Sequence, residues 1–546
     1  MAREQVFPKL PSFVSAVARR PKYLLVSQIM TILWRMLAWC TLAIVFGIAV
    51  YRADTQTIAH DEALEYEWFL AGGVGHILVY NPANHVLFTL LAKPIVWSLG
   101  PRELILRSPS LLGTVIYLLA TYLLCRRLFG QGVLFFFAVA MLFLNPQIFD
   151  FMPAARGYIL GLAGLAAAMY FMARLAERGE FNPADSEWKW GCSLASISLA
   201  LSVAGNLTNV VPAACLVLTF SAVALGGLRA LLKFADSRIQ QFVKYFLAPG
   251  AVVGFCILWP YFIQWRLSST TIHFGKASNA LRDVFNASFL YKWTDDVVNS
   301  RGAVPSAPGS WQERVTDLGE YVFLPALFVL VAAVFFLARR AQPGSAGARN
   351  AQCRIFAGAA IASVLLIVFL HLAIHIDYPF SRYCLFLIPL FTVGTFLAAQ
   401  EIQFRFPSPF LKALGLLLAA MVVSDYALSL QTKFFRYNAY DVISRDLYQA
   451  IANDARPRGL TNVRVGGTWW YEPEINYYRR RYKADWMLEY DVKDRSYYWQ
   501  TPNSLTPADY DYFVFTPEGD PGLTGPRVRT IFRDGQRGIT VVAIAK

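Results

Sequence analysis

Charged residues are scarce in this sequence. Asp, Glu, Lys and Arg make up 16% of its 546 residues, whereas a soluble protein carries about 25%. Apolar residues reach 56% and occur in uncharged runs of roughly 18 to 25 residues, which can cross a hydrocarbon layer of about 30 Å. A soluble enzyme is therefore excluded. Because backbone groups in lipid must bond within their own segment, the runs predict a polytopic α-helical membrane protein.

Cysteine is also rare and has no metal-ligand spacing. The seven cysteines lie in or beside apolar segments, and none falls in the polar C-terminal region. They are interpreted as small apolar residues, which excludes a disulfide framework.

The basic residues form no stripe on a polar domain, although the net charge is +14. They stand at the ends of apolar segments instead, which excludes nucleic acid as a partner and is typical of cytoplasmic loops of membrane proteins. The groups are Arg19, Arg20 and Lys22; Arg126 and Arg127; Arg174 and Arg178; Arg229 and Lys233; and Arg339, Arg340 and Arg349.

Apolar runs and basic loops together predict the topology. Residues 85–99 contain Lys93 before Pro94, and placing them as an interfacial helix puts every Arg-rich loop on the cytoplasmic side. The N-terminus is then cytoplasmic and the C-terminus extracytoplasmic. About eleven spans are predicted, near 28–51, 103–125, 131–148, 157–174, 190–206, 208–227, 243–263, 321–338, 355–374, 383–400 and 408–428.

Two domains follow from this topology. Residues 1–428 form a transmembrane module with outer loops at 52–102 and 265–320, and residues 429–546 form an extracytoplasmic α/β domain. In the second domain the sequence predicts helices over DVISRDLYQAIANDA and EPEINYYRRRY, and strands over NVRVGG, DYFVF, VRTIFRD and GITVVAIA.

Adjacent carboxylates follow the first span, in the segment TIAHDEALEYEWFLAGG. Asp61 and Glu62 lie within a few residues of the predicted bilayer surface, where a carboxylate can accept a proton from a hydroxyl or hold a divalent cation. A solvated acidic loop without chemistry is the alternative.

The order of several short motifs resembles the glycosyltransferase C-fold families, which include protein O-mannosyltransferases and the lipid A aminoarabinose transferase. After the acidic pair come NPANHVLF, the span start RSPS, and the loop NPQIFDFMPAARGY. The resemblance covers residues 28–265 well and the remainder loosely. It implies a polytopic helical fold of the glycosyltransferase C type.

The resemblance also implies roles for acidic residues. Asp61 takes the place of the family's base or metal ligand, with Glu62 beside it. Whether a metal assists stays open; if a divalent cation, Mg or Mn, takes part, it would lie on these two residues. A second acid is expected in the next outer loop, where Asp150 is the candidate. Relatives often place this acid directly before the Arg, where this chain has Ala155, which puts the role of Asp150 in doubt.

Basic and aromatic residues on the same predicted face are candidates for binding a carrier phosphate. A cation at membrane depth is costly unless paired, and a guanidinium can hold a phosphate through two hydrogen bonds. HIDYPFSRY is similar to the family's P-x-x-RY element and contributes Arg382. The phosphate-binding candidates are Arg382, Arg156, Lys276 and Tyr158, and the substrate-orienting candidates are His85, Lys93 and His273. For each, anchoring of a helix end or a solvated loop is the alternative.

Together these features predict an inverting glycosyltransferase of the cytoplasmic (inner) membrane. Its donor would be a polyprenyl-phosphate-linked sugar among the membrane lipids, and its acceptor a glycan, lipid or protein. Alternatives are a transporter or flippase of lipid-linked sugars, against which no internal repeat is found, and a non-catalytic envelope protein that binds polysaccharide. Transfer of a whole oligosaccharide or an amino-pentose also stays open.

Overall fold

The chain is described by a computed structural model over most of its length. The described residues are 21–78, 81, 83–227, 236–267, 324–340, 347–379, 381–430, 432, 435, 441–490, 509–517, 521–523, 525–535 and 538–545. Most of the predicted outer loop 265–320, with His273 and Lys276, lies outside these residues.

Most of the described chain is α-helical. The helices are α1 (Pro21–Thr55), α2 (His60–Glu65), α3 (Val86–Leu99), α4 (Glu103–Phe129), α5 (Val133–Leu144), α6 (Pro146–Phe151), α7 (Tyr158–Ala176), α8 (Ser186–Gly205), α9 (Val210–Ala224), α10 (Ser237–Phe242), α11 (Ala248–Leu267), α12 (Leu324–Arg340), α13 (Gly347–Ile374), α14 (Leu387–Arg405), α15 (Pro409–Ser429), α16 (Ser444–Ala455) and α17 (Glu472–Arg481). Five-residue π-helical turns extend α2 over Tyr66–Leu70 and join α10 to α11 over Val243–Leu247, and a 3₁₀ turn covers Ser381–Cys384.

Eight helical segments of the described chain are long and apolar enough to cross a membrane. They coincide with eight of the predicted spans, and α5, α8 and α12 coincide with the other three. The structure thus confirms a polytopic helical membrane protein, while the count of eleven spans stays a prediction.

Helix α3 differs from these spans in length. Its 14 residues rise about 21 Å, which is less than the hydrocarbon thickness of about 30 Å. It packs against α4 and α8, and Val86 at its start clusters with Ala204 of α8. This agrees with a helix that does not cross the membrane.

Small residues bring α7 and α8 into close contact. A Cβ atom on Gly205 would stand 2.6 Å from the backbone nitrogen of Gly161, and one on Gly164 would stand 2.6 Å from the carbonyl oxygen of Ser198. The Ser202 hydroxyl donates to the Gly161 carbonyl oxygen at 2.7 Å. Backbone approach of this kind is a common way to join helices in lipid, where no hydrophobic effect drives them together.

The C-terminal region combines helices with one mixed sheet. Its strands are β1 (Val465–Gly467), β2 (Tyr512–Phe515), β3 (Val528–Arg533) and β4 (Thr540–Ile544), in the order β1-β2-β4-β3. β1 is parallel to β2 and the other pairs are antiparallel. All six elements that the sequence predicts here are present, which confirms the α/β architecture of this region.

Candidate active site

The predicted site residues meet at the end of the helix bundle that carries the C-terminal region. Helix α2, the segment from α6 to α7 and the turn Ser381–Cys384 converge there. A small cleft, part of it open to solvent, is lined by Ala59, Asp61, Glu62, Asp150, Phe151, Ala154, Arg156 and Phe435. We call this the Asp61 cleft.

Asp61 lies between two guanidinium groups. Its Oδ2 accepts a hydrogen bond from Arg382, and its backbone carbonyl accepts one from Arg156 at 2.9 Å. The Asp61 side chain keeps 22% of its surface exposed. Burial raises the pKa of this carboxyl, but the charges of Arg382 and Arg156 outweigh burial and leave the pKa below its usual value. Asp61 is therefore an ionised carboxylate that remains accessible from the cleft.

Glu62 points into the protein and is saturated with donors. Its Oε1 accepts from Arg107 Nε at 2.9 Å and from the Ala155 nitrogen at 2.6 Å, and its Oε2 accepts from Arg107 at 2.5 Å and from the Ala59 nitrogen at 3.0 Å. Both side chains of the ion pair are at most 2% exposed. Arg107 also donates to backbone carbonyls of Gln56 and Thr57, at 2.8 and 2.7 Å. This geometry suits a residue that fixes the start of α2.

Asp150 reaches the cleft from α6. Asn145 begins this helix by accepting from the backbone nitrogens of Gln147 and Ile148, and Pro146 occupies the first turn. Asp150 forms an ion pair with Arg52 at 2.8 Å, with the two side chains 4% and 0% exposed. Asp150 thus lines the same cleft as Asp61 with a guanidinium of its own.

Phe435 closes one side of the cleft. The guanidinium carbons of Arg52 and Arg107 each lie 5.1 Å from its ring centre, a distance typical of cation–π contact. The chain segment that follows the last span therefore contributes to the site.

Glu65 lies one turn of α2 after Asp61 and is 1% exposed. Its Oε1 accepts from the Thr89 hydroxyl at 2.8 Å, whereas its Oε2 has no hydrogen-bond partner of good geometry within the described chain. Burial raises the pKa of Glu65 to about 7, although the Arg156 charge opposes this.

His85 precedes α3 and packs against the start of α7. Its Nδ1 lies 3.0 Å from the Gly205 carbonyl oxygen, which makes Nδ1 the protonated nitrogen. Its ring contacts Tyr158, with 4.6 Å between ring centres. A Cβ atom on Gly157 would stand 2.7 Å from the His85 Cβ, so glycine permits this approach. Burial, followed by the Arg156 charge, holds the pKa of His85 well below its usual value, and the ring is neutral.

Lys93 does not reach the cleft. Its Nζ donates to the backbone carbonyls of Phe69 and Gly73, at 2.8 and 2.7 Å, and the residue is 1% exposed. Lys93 therefore ties α3 to the end of the π-helical turn.

The C-terminal region docks onto the first loop beside Asp61. His60 stacks on Trp470 with 4.2 Å between ring centres, and its backbone nitrogen donates to Asp441 at 2.6 Å. The Tyr478 hydroxyl accepts from the Ile58 nitrogen at 3.0 Å. These contacts hold both ends of the turn that precedes α2.

A divalent cation at the predicted position would need Asp61 and Glu62 as ligands. Mg²⁺ and Mn²⁺ require several oxygen ligands, and the described chain contains no group of three or more His, Cys, Asp or Glu side chains placed to share an ion. Each of the two carboxylates also already binds a guanidinium. The described residues therefore do not fit a divalent cation held by this pair.

The structure brings together most of the residues predicted from the sequence. Asp61, Glu62, Asp150 and Arg156 line the cleft, Arg382 binds Asp61, and Tyr158 and His85 form the next layer. Arg52, Arg107 and Glu65 were not predicted as site residues, although Arg107 opens the RSPS motif and Glu65 lies in the segment of the acidic pair. Arg52 and Arg107 could have been found from their positions, because an arginine near the end of an apolar segment needs an anionic partner.

No protein-family model matches the sequence, and no characterised protein sequence matches it. Among solved structures the chain is similar to ArnT from Cupriavidus metallidurans, with a TM-score of 0.45, 12% identity, and coverage of 92% of this chain and 97% of that chain. It is also similar to the Archaeoglobus fulgidus oligosaccharyltransferase tethered with an acceptor peptide, with a TM-score of 0.45, 13% identity, and coverage of 88% and 69%. A third likeness is to the arabinofuranosyltransferase AftD from Mycobacteria, with a TM-score of 0.46, 13% identity, and coverage of 94% and 40%.

Proposed function

We propose that this protein is a membrane glycosyltransferase that moves a sugar from a polyprenyl-phosphate carrier to an acceptor hydroxyl. One observation carries the proposal: Asp61 is an ionised, accessible carboxylate, and two guanidinium groups stand beside it in a cleft at the ends of apolar helices. A carboxylate suits an acceptor hydroxyl, and guanidinium groups suit a phosphate leaving group.

The position of the cleft supports a lipid-linked donor. α1 ends at Thr55 and α7 begins at Tyr158, so the site lies at the boundary between membrane-spanning helices and the polar C-terminal region. The phosphate of a polyprenyl-phosphate sugar lies at this depth when its chain is in the bilayer.

The reaction follows from these positions. The Asp61 carboxylate accepts a hydrogen bond from the acceptor hydroxyl and orients its oxygen toward the anomeric carbon. A new bond forms between the hydroxyl oxygen and the anomeric carbon as the bond from that carbon to the phosphate oxygen breaks. The electron pair of the broken bond leaves with the polyprenyl phosphate, and the hydroxyl proton is lost to a neighbouring base or to solvent. Arg382 and Arg156 stabilise the charge that develops on this phosphate. Attack opposite the leaving group inverts the anomeric centre.

The charges at the other end of the bundle support an outward-facing site. Arg127 pairs with Glu177, Arg178 with Asp185, and Arg405 with Glu401. These arginines lie at or beyond the ends of α4, α7 and α14, away from the Asp61 cleft. Under the positive-inside rule this end is cytoplasmic. In a bacterial inner membrane the cleft then faces away from nucleotide sugars, which favours a lipid donor.

The proposal assigns different tasks to the two domains predicted from the sequence. Residues 1–428 would carry the transfer, and residues 429–546 would hold the first loop and cover the acceptor side through His60 and Tyr478.

Variants of Asp61 test the proposal. Membranes containing the protein are incubated with a panel of radiolabelled polyprenyl-phosphate sugars, and incorporation into envelope material is measured. Asp61→Asn should abolish incorporation at normal expression, while Asp54→Asn, an exposed carboxylate near the end of α1, should behave as the wild type. Wild-type incorporation by Asp61→Asn would overturn the proposal.

Binding of the product separates the phosphate role from chemistry. Polyprenyl phosphate should raise the melting temperature of the purified wild-type protein and of Asp61→Asn by similar amounts. It should raise that of Arg382→Ala less, because this variant retains only Arg156 of the two phosphate-binding cations. An equal shift in Arg382→Ala would remove Arg382 from the donor site.

A further inference from the structure

Asp61 and Glu65 occupy the same face of α2. They are four residues apart in a helix that runs from His60 to Glu65, and side chains at this spacing are neighbours. The Arg156 charge acts on both carboxylates. Asp61 lines the cleft, and Glu65 therefore lies directly behind it, one turn of α2 further into the protein.

Their surroundings differ in a way that separates their chemistry. Asp61 is bound to Arg382 and partly exposed. Glu65 is buried, and although the His85 backbone N–H acts on its carboxylate, its Oε2 makes no hydrogen bond of good geometry within the described chain. An acid poised between its charged and neutral forms can take up a proton, whereas one held as an anion by a cation is a weak base. Neighbouring acids whose affinities for a proton differ in this way are suited to different roles.

We infer that Glu65 Oε2 takes up the proton that the acceptor hydroxyl loses during transfer, while Asp61 orients that hydroxyl. The inference rests on the proposed function. As the oxygen–carbon bond forms and the carbon–phosphate oxygen bond breaks, the hydroxyl proton passes to Glu65, directly or through one bridging water. Glu65 then returns it to solvent or to the released phosphate before the next cycle.

The other titratable groups around Glu65 do not suit this role. Arg156 and Arg382 are cations. His85 is held neutral with a pKa well below its usual value, and Asp61 has a pKa below that of an ordinary carboxyl. Glu65, with a pKa of about 7, is the group best matched to proton uptake at neutral pH among these.

The pH dependence of kcat/KM tests the inference. Since the acceptor of the proton must be deprotonated, the wild-type value should rise with pH to a plateau, with an inflection near pH 7. Glu65→Gln should lower the plateau by roughly 10²- to 10⁴-fold, the usual contribution of general base catalysis, and the remaining activity should show no inflection near pH 7.

Two further variants distinguish proton uptake from a structural role. The Thr89 hydroxyl donates to Glu65 and stabilises its charged form, so Thr89→Val should move the inflection to higher pH while the plateau is kept. Glu67→Gln, in the following turn, should keep the wild-type profile. A melting temperature and polyprenyl-phosphate binding equal to wild type in Glu65→Gln would show that the variant is folded.

The outcomes separate this inference from the proposed function. If Asp61→Asn abolishes transfer but Glu65→Gln keeps the wild-type inflection, Glu65 is not the proton acceptor and the proposed function stands. If the wild-type protein transfers no sugar from any polyprenyl-phosphate donor, the proposed function is wrong, and the role inferred for Glu65 is wrong as well.

Discussion

Adjacent residues of one short helix perform different tasks in this protein. Asp61 and Glu62 are next to each other in α2, and successive side chains of a helix point about 100° apart. Asp61 consequently faces the cleft and Arg382, whereas Glu62 faces the interior and Arg107. The acidic pair is thus one accessible carboxylate and one buried ion pair.

The buried pair predicts a loss of stability when Glu62 is truncated. Removing one partner of a buried ion pair typically costs about 3–5 kcal/mol, because the remaining charge has no counterion. Glu62→Ala should therefore lower the melting temperature of the detergent-solubilised protein clearly, and Asp61→Ala should lower it less because Asp61 and Arg382 are partly exposed. Equal melting temperatures for Glu62→Ala and the wild type would contradict the structural role.

Sequence motifs identify single residues better than pairs. Asp61, Arg156 and Arg382 were predicted because each stands beside a span in a recognisable pattern. The structure places both arginines against Asp61, Arg382 on its carboxylate and Arg156 on its backbone carbonyl. The Glu62–Arg107 pair could not be predicted because its members are 45 residues apart in the chain. Proximity across that separation depends on how α1, α2 and α4 pack, which no local pattern encodes.

At the scale of elements, the contact between α7 and α8 sets the position of two site residues. Arg156 precedes α7, and the Gly205 carbonyl at the end of α8 lies 3.0 Å from His85 Nδ1. Gly161 and Gly205 let the backbones touch at this point. The glycines therefore determine how far His85 and Arg156 stand from Asp61.

A methyl group at this contact should separate the two helices. Gly205→Ala would place a Cβ atom 2.6 Å from the Gly161 nitrogen, and because that neighbour is backbone, the helices must move, at a cost of about 1–3 kcal/mol. We expect a lower melting temperature together with reduced sugar transfer. Gly47→Ala in α1 is the matched control, since nothing lies within 4 Å of the added carbon. Full activity of Gly205→Ala would show that the site tolerates the displacement.

The helices and strands were predicted correctly from the sequence where a single physical requirement decides the backbone conformation. Apolar runs define helices α1, α4 and α13 because lipid excludes any other backbone. Short continuous runs of apolar, β-branched and aromatic residues define the buried strands β2 and β4. Helix α2 was not predicted, since its six residues, HDEALE, are mostly polar. It is held by tertiary contacts instead, through Glu62 and the Tyr478 hydroxyl.

At the scale of the whole molecule, the C-terminal region and the first loop form one body. Glu103, at the start of α4, accepts from Arg445 at 2.8 Å and from Tyr478 at 3.3 Å, and the Tyr477 hydroxyl donates to the Pro101 carbonyl at 2.7 Å. These contacts join positions more than 340 residues apart. Tyr477 and Tyr478 are fully buried in this junction.

The orientation of this body in the membrane is open to direct measurement. Glu489 lies on the C-terminal region with 57% of its side chain exposed, and Glu180 lies at the Arg-rich end with 64% exposed. In spheroplasts of the inner membrane, a membrane-impermeant maleimide should label Glu489→Cys directly, and Glu180→Cys only after permeabilisation. The native protein is the control for background labelling, which should be low. Cys40 and Cys256 are exposed, but they lie on apolar helices, and the other five cysteines are buried. The reverse labelling would place the Asp61 cleft in the cytosol, where nucleotide sugars are available, and the physical reason for a lipid-phosphate donor would disappear.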